Sequence, residues 1–207
     1  MSRDGTRGRR TAAMTAMVTA ALVVSCAKPA PLPRSITVGA SLPLSGTDAA
    51  IGAAVRRGYA RAFAEANAAG GVAVRGGTAR VRVGLEVRDD TGDPAEVEAK
   101  LRDLVRAGCQ VLLATASDVR AATQAALADQ LALPYVVNLE DAPGLPGARQ
   151  KWVFAVQALG DREARAYQTA RALLRALERA ERFDGAGIRR ALTRSASSAS
   201  SENVARR

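Results

Sequence analysis

Between residues 36 and 182 short apolar runs alternate with amphipathic stretches, and this limits the chain more than any other feature. ITVGASL (36–42) is a short apolar run behind a Pro-rich stretch and reads as a strand. Over 48–69, Ile51, Val55, Tyr59, Phe63 and Ala66 recur every three or four residues, which marks one face of a helix. Gly70-Gly71 ends it. ARVRVGLEV (79–87) alternates strictly, with Val81, Val83, Leu85 and Val87 on one side and Arg82, Gly84 and Glu86 on the other, as in a strand near a sheet edge. In the next segment Asp93 is suited to N-cap a helix, with Pro94 at its first position and Glu96 at capping-box spacing. Val97, Leu101, Leu104 and Val105 are expected to line its buried face, and Gly108 is placed to end it. QVLLA (110–114) lacks alternation, as a central parallel strand does, and a helix (118–131), the strands LPYVVN (133–138) and KWVFAV (151–156) and a long helix (161–182) follow. That last helix carries Ala166, Ala170, Leu173, Leu174 and Leu177 on its apolar face.

Strands that alternate with helices specify an α/β fold, a parallel sheet covered on both faces. An edge-like second strand fits the doubly wound order 2-1-3-4-5, in which ligands bind beyond the carboxyl ends of the strands. Those ends are LPLSGTDAA, RDDTGDP, ATASD and NLEDAPG, all rich in small or polar residues.

Composition removes most catalytic chemistry. The chain of 207 residues suits one domain with appendages, and at 48% hydrophobic but only 3% aromatic its core must come from Ala, Val and Leu. With no His there is no Ser-His-Asp or Cys-His pair. Two Cys without His make no zinc site, so no metal is expected. No Gly-rich phosphate loop of known spacing occurs, and no cofactor is expected. Asp89-Asp90 and Glu140-Asp141 are adjacent pairs whose side chains point apart on an extended chain, poor geometry for an acid–base couple. No residue is read as catalytic, and the chain is not read as an enzyme. The net charge of +10 comes with only three Lys among 30 basic residues, scattered and without aromatic interleaving, so no nucleic-acid partner is expected.

The first 26 residues read as an export signal. Four Arg precede an apolar core from Ala12 to Val24, too short for a membrane span. It ends in Val23-Val24-Ser25-Cys26, which resembles the bacterial lipobox and implies that Cys26 is lipidated; an ordinary signal peptide before an unrelated Cys is the other reading. Arg9-Arg10 leaves Sec and twin-Arg export both open. AKPAPLPRS (27–35) reads as a Pro-rich tether. From residue 27 on the charge is 26 basic against 19 acidic, or +7, and Cys109 is left as a small buried core residue with no disulfide partner. The expected location is the outer face of a bacterial membrane, periplasm or cell surface, held by two lipid chains.

The set of segments (the ITVGASLPLSG opening, a long helix ending in GG, DDTGDP before a capped helix, a strand–small–Ser–helix step before LPYVV) is similar to the type I periplasmic solute-binding proteins of ABC transporters, the leucine/isoleucine/valine-binding group, over about residues 35–158. The resemblance implies one flavodoxin-like lobe of such a protein. It implies that Ser45 and Gly46 form the first-strand turn against the ligand and that Ser117, flanked by Ala116 and Asp118, accepts the ligand carboxylate. It implies further that Asn138 to Asp141, with Glu140, form the loop after the fourth strand. A helix N-terminus with a hydroxyl suits a carboxylate, while Ser117 as a plain N-cap needs no ligand. Glu140 and Asp141 stand where the family loop is uncharged; they would take a ligand amine, or be solvated loop charges. Asp89, Asp90 and Asp93 are read as structural.

Family members have two lobes. Here 164–192 resembles the helices that return to lobe one, and lobe two is missing between about 157 and 164. The expected organisation is a signal peptide (1–26), a tether (27–35), an α/β solute-binding lobe (36–192) and a disordered Ser-rich tail (193–207). The implied function is a lipid-anchored binding protein for an amino acid or similar small carboxylate, serving an ABC permease. The alternative is a non-transporting interaction or sensory lipoprotein, or a degraded remnant, from the same family.

Overall fold

The computed structural model describes residues 31–115, 118–141, 145 and 150–204. The elements run β1 (Ser35–Leu42), α1 (Ala49–Ala68), β2 (Val72–Val74), β3 (Ala79–Asp89), α2 (Pro94–Arg106), β4 (Val111–Leu113), α3 (Asp118–Gln130), β5 (Tyr135–Asn138), β6 (Val153–Val156), α4 (Arg162–Glu178) and α5 (Gly185–Val204). The sheet order is β2-β3-β1-β4-β5-β6. Its five longer-range neighbours β3-β1-β4-β5-β6 are all parallel, which is the expected 2-1-3-4-5 winding.

Side-chain parity explains the two layers. Ile36, Val38, Ala40 and Leu42 share one face with Val81, Val83, Val111, Leu113 and Val136, and pack under α1, α4 and α5. Leu112, Tyr135, Val137 and Val153 lie on the other face, under α2 and α3. The winding reverses between β1 and β4, so the topological switch point lies at the carboxyl ends of those two strands. Cys109 is a free, buried member of the second layer; burial raises its thiol pKa to about 11.

The helix boundaries follow from their caps. Asp93 accepts a hydrogen bond from the Ala95 N–H and Pro94 sits at the first helical position of α2. At its end the Cys109 N–H donates to Leu104 O and the Gly108 N–H to Val105 O, a Schellman closure that needs the positive φ (83°) of Gly108. Asp161 caps α4 through the Ala164 N–H. Helices α1 and α4 meet at Gly58, where a Cβ would lie 2.3 Å from Glu163 O, so only a glycine permits this approach.

Four expectations are corrected. Val105, expected on the buried face of α2 with Val97, Leu101 and Leu104, is exposed, because it lies one residue and so about 100° round the helix past Leu104. The strand β3 is not the sheet edge: Gly70 and Gly71, both at positive φ, reverse the chain so that Val72–Val74 pairs antiparallel with Ala79–Val81. A three-residue strand is too short to show a period. The tether read as 27–35 ends earlier, because Ser35 already pairs with Arg82 and Leu32 packs on the core. The Ser-rich stretch after Leu192, expected to be disordered, continues as helix to Val204. Ile188, Ala191 and Leu192 dock α5 on the core. The hydroxyls of Thr193 and Ser195 donate to carbonyls one turn back, so these residues are accommodated in the helix.

Candidate ligand-binding site

At the switch point the turn after β1 is stapled to the turn after β3. The Asp89 carboxylate accepts from the N–H groups of Leu44 (2.8 Å), Ser45 (3.3 Å) and Thr91 (2.8 Å). Burial alone would raise its pKa, but the bonds from Ser45, Thr91 and Leu44 outweigh that and hold it below the usual carboxylate value. Asp90 is buried; it accepts from Ser41 Oγ (2.8 Å) and the Gly92 N–H, and burial raises its pKa. Both aspartates are structural, as read from the sequence.

Ser45 and Gly46 are exposed on the rim of this turn. Gly46 has φ 73°, and a Cβ there would lie 2.8 Å from Thr91 O, so the two turns approach only because residue 46 is glycine. Ala116 and Ser117 lie outside the described residues, as does Cys26. Asp118 opens α3 at the carboxyl end of β4, the central strand beside β1. Asn138 is buried at the end of β5 and is held by protein partners: its Nδ2 donates to Asp141 and its Oδ1 accepts from the Ala158 N–H. Glu140 is exposed. Asp141 is neither a solvated loop charge nor a free acceptor, because Arg165 of α4 pairs with it at 2.7 Å and both side chains are largely buried.

Two further residues belong to this edge. Arg120, in the first turn of α3, is 5% exposed; its Nη1 donates to Asp48 Oδ2 (2.9 Å) and to Gly92 O (3.0 Å). One guanidinium thus ties the turns after β1 and β3 to α3. Gln124, one helical turn later and fully buried, donates to Ser41 O and accepts from the Tyr135 hydroxyl and the Thr115 N–H. Arg120 Nε and Thr115 Oγ1 are buried without a hydrogen-bond partner. The only sequence signal for this wiring was the pair of polar residues at i, i+4 beside the buried Ala121, Ala125 and Ala128. The Arg120 guanidinium is thus neutralised by Asp48, and of the acidic groups read from the sequence at this edge Glu140 stays exposed at the rim. Among the described residues no group of His, Cys, Asp and Glu is placed to hold a metal, and no helix is long and apolar enough to cross a membrane.

Solved structures similar to this chain include the branched-chain amino acid transporter substrate-binding protein LivJ of Streptococcus pneumoniae, solved with isoleucine (24% identity, 58% of this chain and 33% of that one, TM-score 0.48). An ABC transporter substrate-binding protein of Sphaerobacter thermophilus (23%, 58% and 32%, 0.46) and the leucine-binding protein LivK of Thermotoga maritima (17%, 58% and 32%, 0.46) are also similar. The chain spans about a third of the length of these proteins. No curated protein sequence matches it. Residues 35–164 match the family model described as periplasmic binding protein, a span that takes in every strand from β1 to β6 and the turns at their carboxyl ends. The chain belongs to the periplasmic binding protein family.

Proposed function

We propose that this chain is the lipid-anchored substrate-binding component of an ABC importer and that its ligand is an amino acid or a similar small carboxylate. The observation that carries the reading is the family match, because residues 35–164 contain the whole carboxyl edge on which a ligand would sit. In this reading Ser117 and the first N–H groups of α3 receive the carboxylate, with Ala116 and Asp118 beside it, and Ser45-Gly46 closes one side. Arg120 positions the two turns. Glu140 is the group left for a ligand amine, since Asp141 is taken by Arg165 and Asn138 holds the loop. Cys26 carries the lipid, and the importer's permease is the partner.

The test is thermal unfolding followed by Trp152, the single tryptophan, against a panel of amino acids and small carboxylates at millimolar concentration. A ligand of the folded state must raise the midpoint, and Ser117→Ala is expected to erase the rise. A cooperative transition that no member of the panel moves refutes the ligand assignment.

A further inference from the structure

We propose that a cavity between the end of α1, β2 and α4 is a binding site for a phosphate group, held by Arg80, Arg171 and Arg175. The site stands apart from the ligand assigned to the carboxyl edge and does not depend on it. The cavity has a volume of about 230 Å³, and Ala66 with the buried Val72 and Leu174 forms its apolar floor. Arg80 reaches it from the start of β3, next to the pairing of Ser35 with Arg82 that opens β1, so the cavity lies at the amino-terminal end of the sheet. Arg171 and Arg175 reach it from α4, where they stand one turn apart.

Cations outnumber their partners here. Arg80 Nη1 donates to Gly71 O (3.0 Å), which fixes that guanidinium at the rim. Arg171 is half-buried, and among the described residues neither it nor Arg175 has a hydrogen-bond or ion-pair partner. A guanidinium drawn out of water without a partner costs the fold free energy that a bound anion returns. Arg175 lies in the last turn of α4, where the helix dipole favours a cation, but Arg171 lies a turn earlier and has no such account. Of the two carboxylates at the cavity, Glu65 accepts from the Tyr167 hydroxyl (2.6 Å) and pairs with Arg61 (3.5 Å). Glu178 is exposed at the rim. The last carbonyls of α1 are occupied by the N–H groups of Ala69, Gly70 and Gly71. Three guanidinium groups from two elements thus line one cavity with a single uncommitted carboxylate beside them. One guanidinium satisfies both oxygens of a carboxylate ligand, whereas a phosphate group offers at least three oxygens and nearly two charges, which suits three forks. The apolar floor leaves room for the organic part of a phosphate ester.

The experiment is equilibrium dialysis of the full chain against radiolabelled inorganic phosphate at about 0.15 M sodium chloride, with glycerol phosphate as competitor. The expected result is saturable binding of one phosphate per chain, displaced by glycerol phosphate. Arg171→Gln is expected to weaken it about tenfold or more, from the strength of hydrogen bonds between charged groups, and Glu178→Gln to tighten it. Arg56→Gln removes an exposed arginine of α1 outside the cavity and is expected to change nothing. Both ligand sources support the site: a competitor that binds more tightly than free phosphate assigns it to an esterified phosphate, and equal affinity assigns it to the free ion. Absence of saturable binding overturns the proposal. So does binding that survives Arg171→Gln with Arg175→Gln, or that Arg56→Gln weakens as much as Arg171→Gln, since the ion is then only part of the atmosphere around a basic chain. Arg171→Lys decides the matter if Arg171→Gln fails to fold: it keeps the charge and stem but cannot grip two oxygens at once, and unchanged binding in it refutes the fork.

Discussion

Replacing Gly58 by Ala tests whether α4 truly returns to the lobe that holds α1. In an exposed helix this change would stabilise by about 1 kcal/mol, since glycine is the poorer helix former. Here the added Cβ would lie 2.3 Å from Glu163 O and 2.8 Å from both Ala166 Cβ and Tyr167 N. Two of those three atoms are backbone of α4 and cannot rotate away, so α4 must shift outward. Its seam with α1 includes the buried Tyr59, Phe63, Ala166, Ala170 and Leu173, the Arg57–Glu163 ion pair and the Arg61 guanidinium 4.1 Å over Tyr167. Overpacking costs about 1–3 kcal/mol, and a backbone obstacle puts it at the upper end. The net loss is about 2 kcal/mol, or a fall in Tm of about 4–8 °C for a domain of this size. Gly84→Ala is the control: nothing lies within 4 Å of its Cβ, and a strand interior favours Ala over Gly by about 0.5–1 kcal/mol. Differential scanning calorimetry on the two variants is expected to move Tm in opposite directions. If Gly58→Ala raises Tm as Gly84→Ala does, the close α1–α4 seam does not exist and α4 does not belong to this lobe.

Cys109 ionises near 9 in the unfolded chain and at about 11 in the folded one, so its contribution to stability is present below pH 9 and is lost as pH rises towards 11, by about 2–3 kcal/mol. Urea unfolding at pH 8 and pH 10.5 is expected to show a smaller alkaline loss in Cys109→Ala than in the parent; an equal loss assigns it to other groups, among them Tyr59 and Tyr135, whose hydroxyl pKa values burial also raises. Arg120→Met removes the clamp on Asp48 and Gly92 but also the buried Nε that has no partner. Asp48 stays one-third exposed and can be rehydrated, so the expected cost is only about 1 kcal/mol, with faster hydrogen exchange at residues 44–48 and 91–93. Unchanged exchange in both turns refutes the clamp.

How much of this was legible in the sequence depends on the range of the interactions concerned. The alternation of Val81 and Val83 with Arg80 and Arg82, the cap at Asp93 and the Gly108 stop are decided within a few residues, and each could be read directly. The strand β2 carries no readable period in its three residues, and the Ser composition of α5 hides a helix whose packing comes from α4 and β6. The edge of the sheet was legible by topology alone, and so were its rim residues Ser45 and Gly46. What holds that edge in shape was not: Ser41 meets Asp90 across 49 residues, Asp48 meets Arg120 across 72, and Gln124 meets Ser41 across 83. A helix of modest amphipathicity such as α3 gives no hint that its polar residues face inward, because burial of Arg120 and Gln124 is tolerable only when partners from β1 and two turns arrive to satisfy them. Asp141 shows the same limit from the other side. Its neighbours made it a candidate for a ligand amine, and the cation that takes it, Arg165, lies on a helix whose apolar stripe alone was informative. Where a parallel sheet places its ligand edge follows from local pattern; which charges remain free at that edge is settled by partners that only the fold brings near.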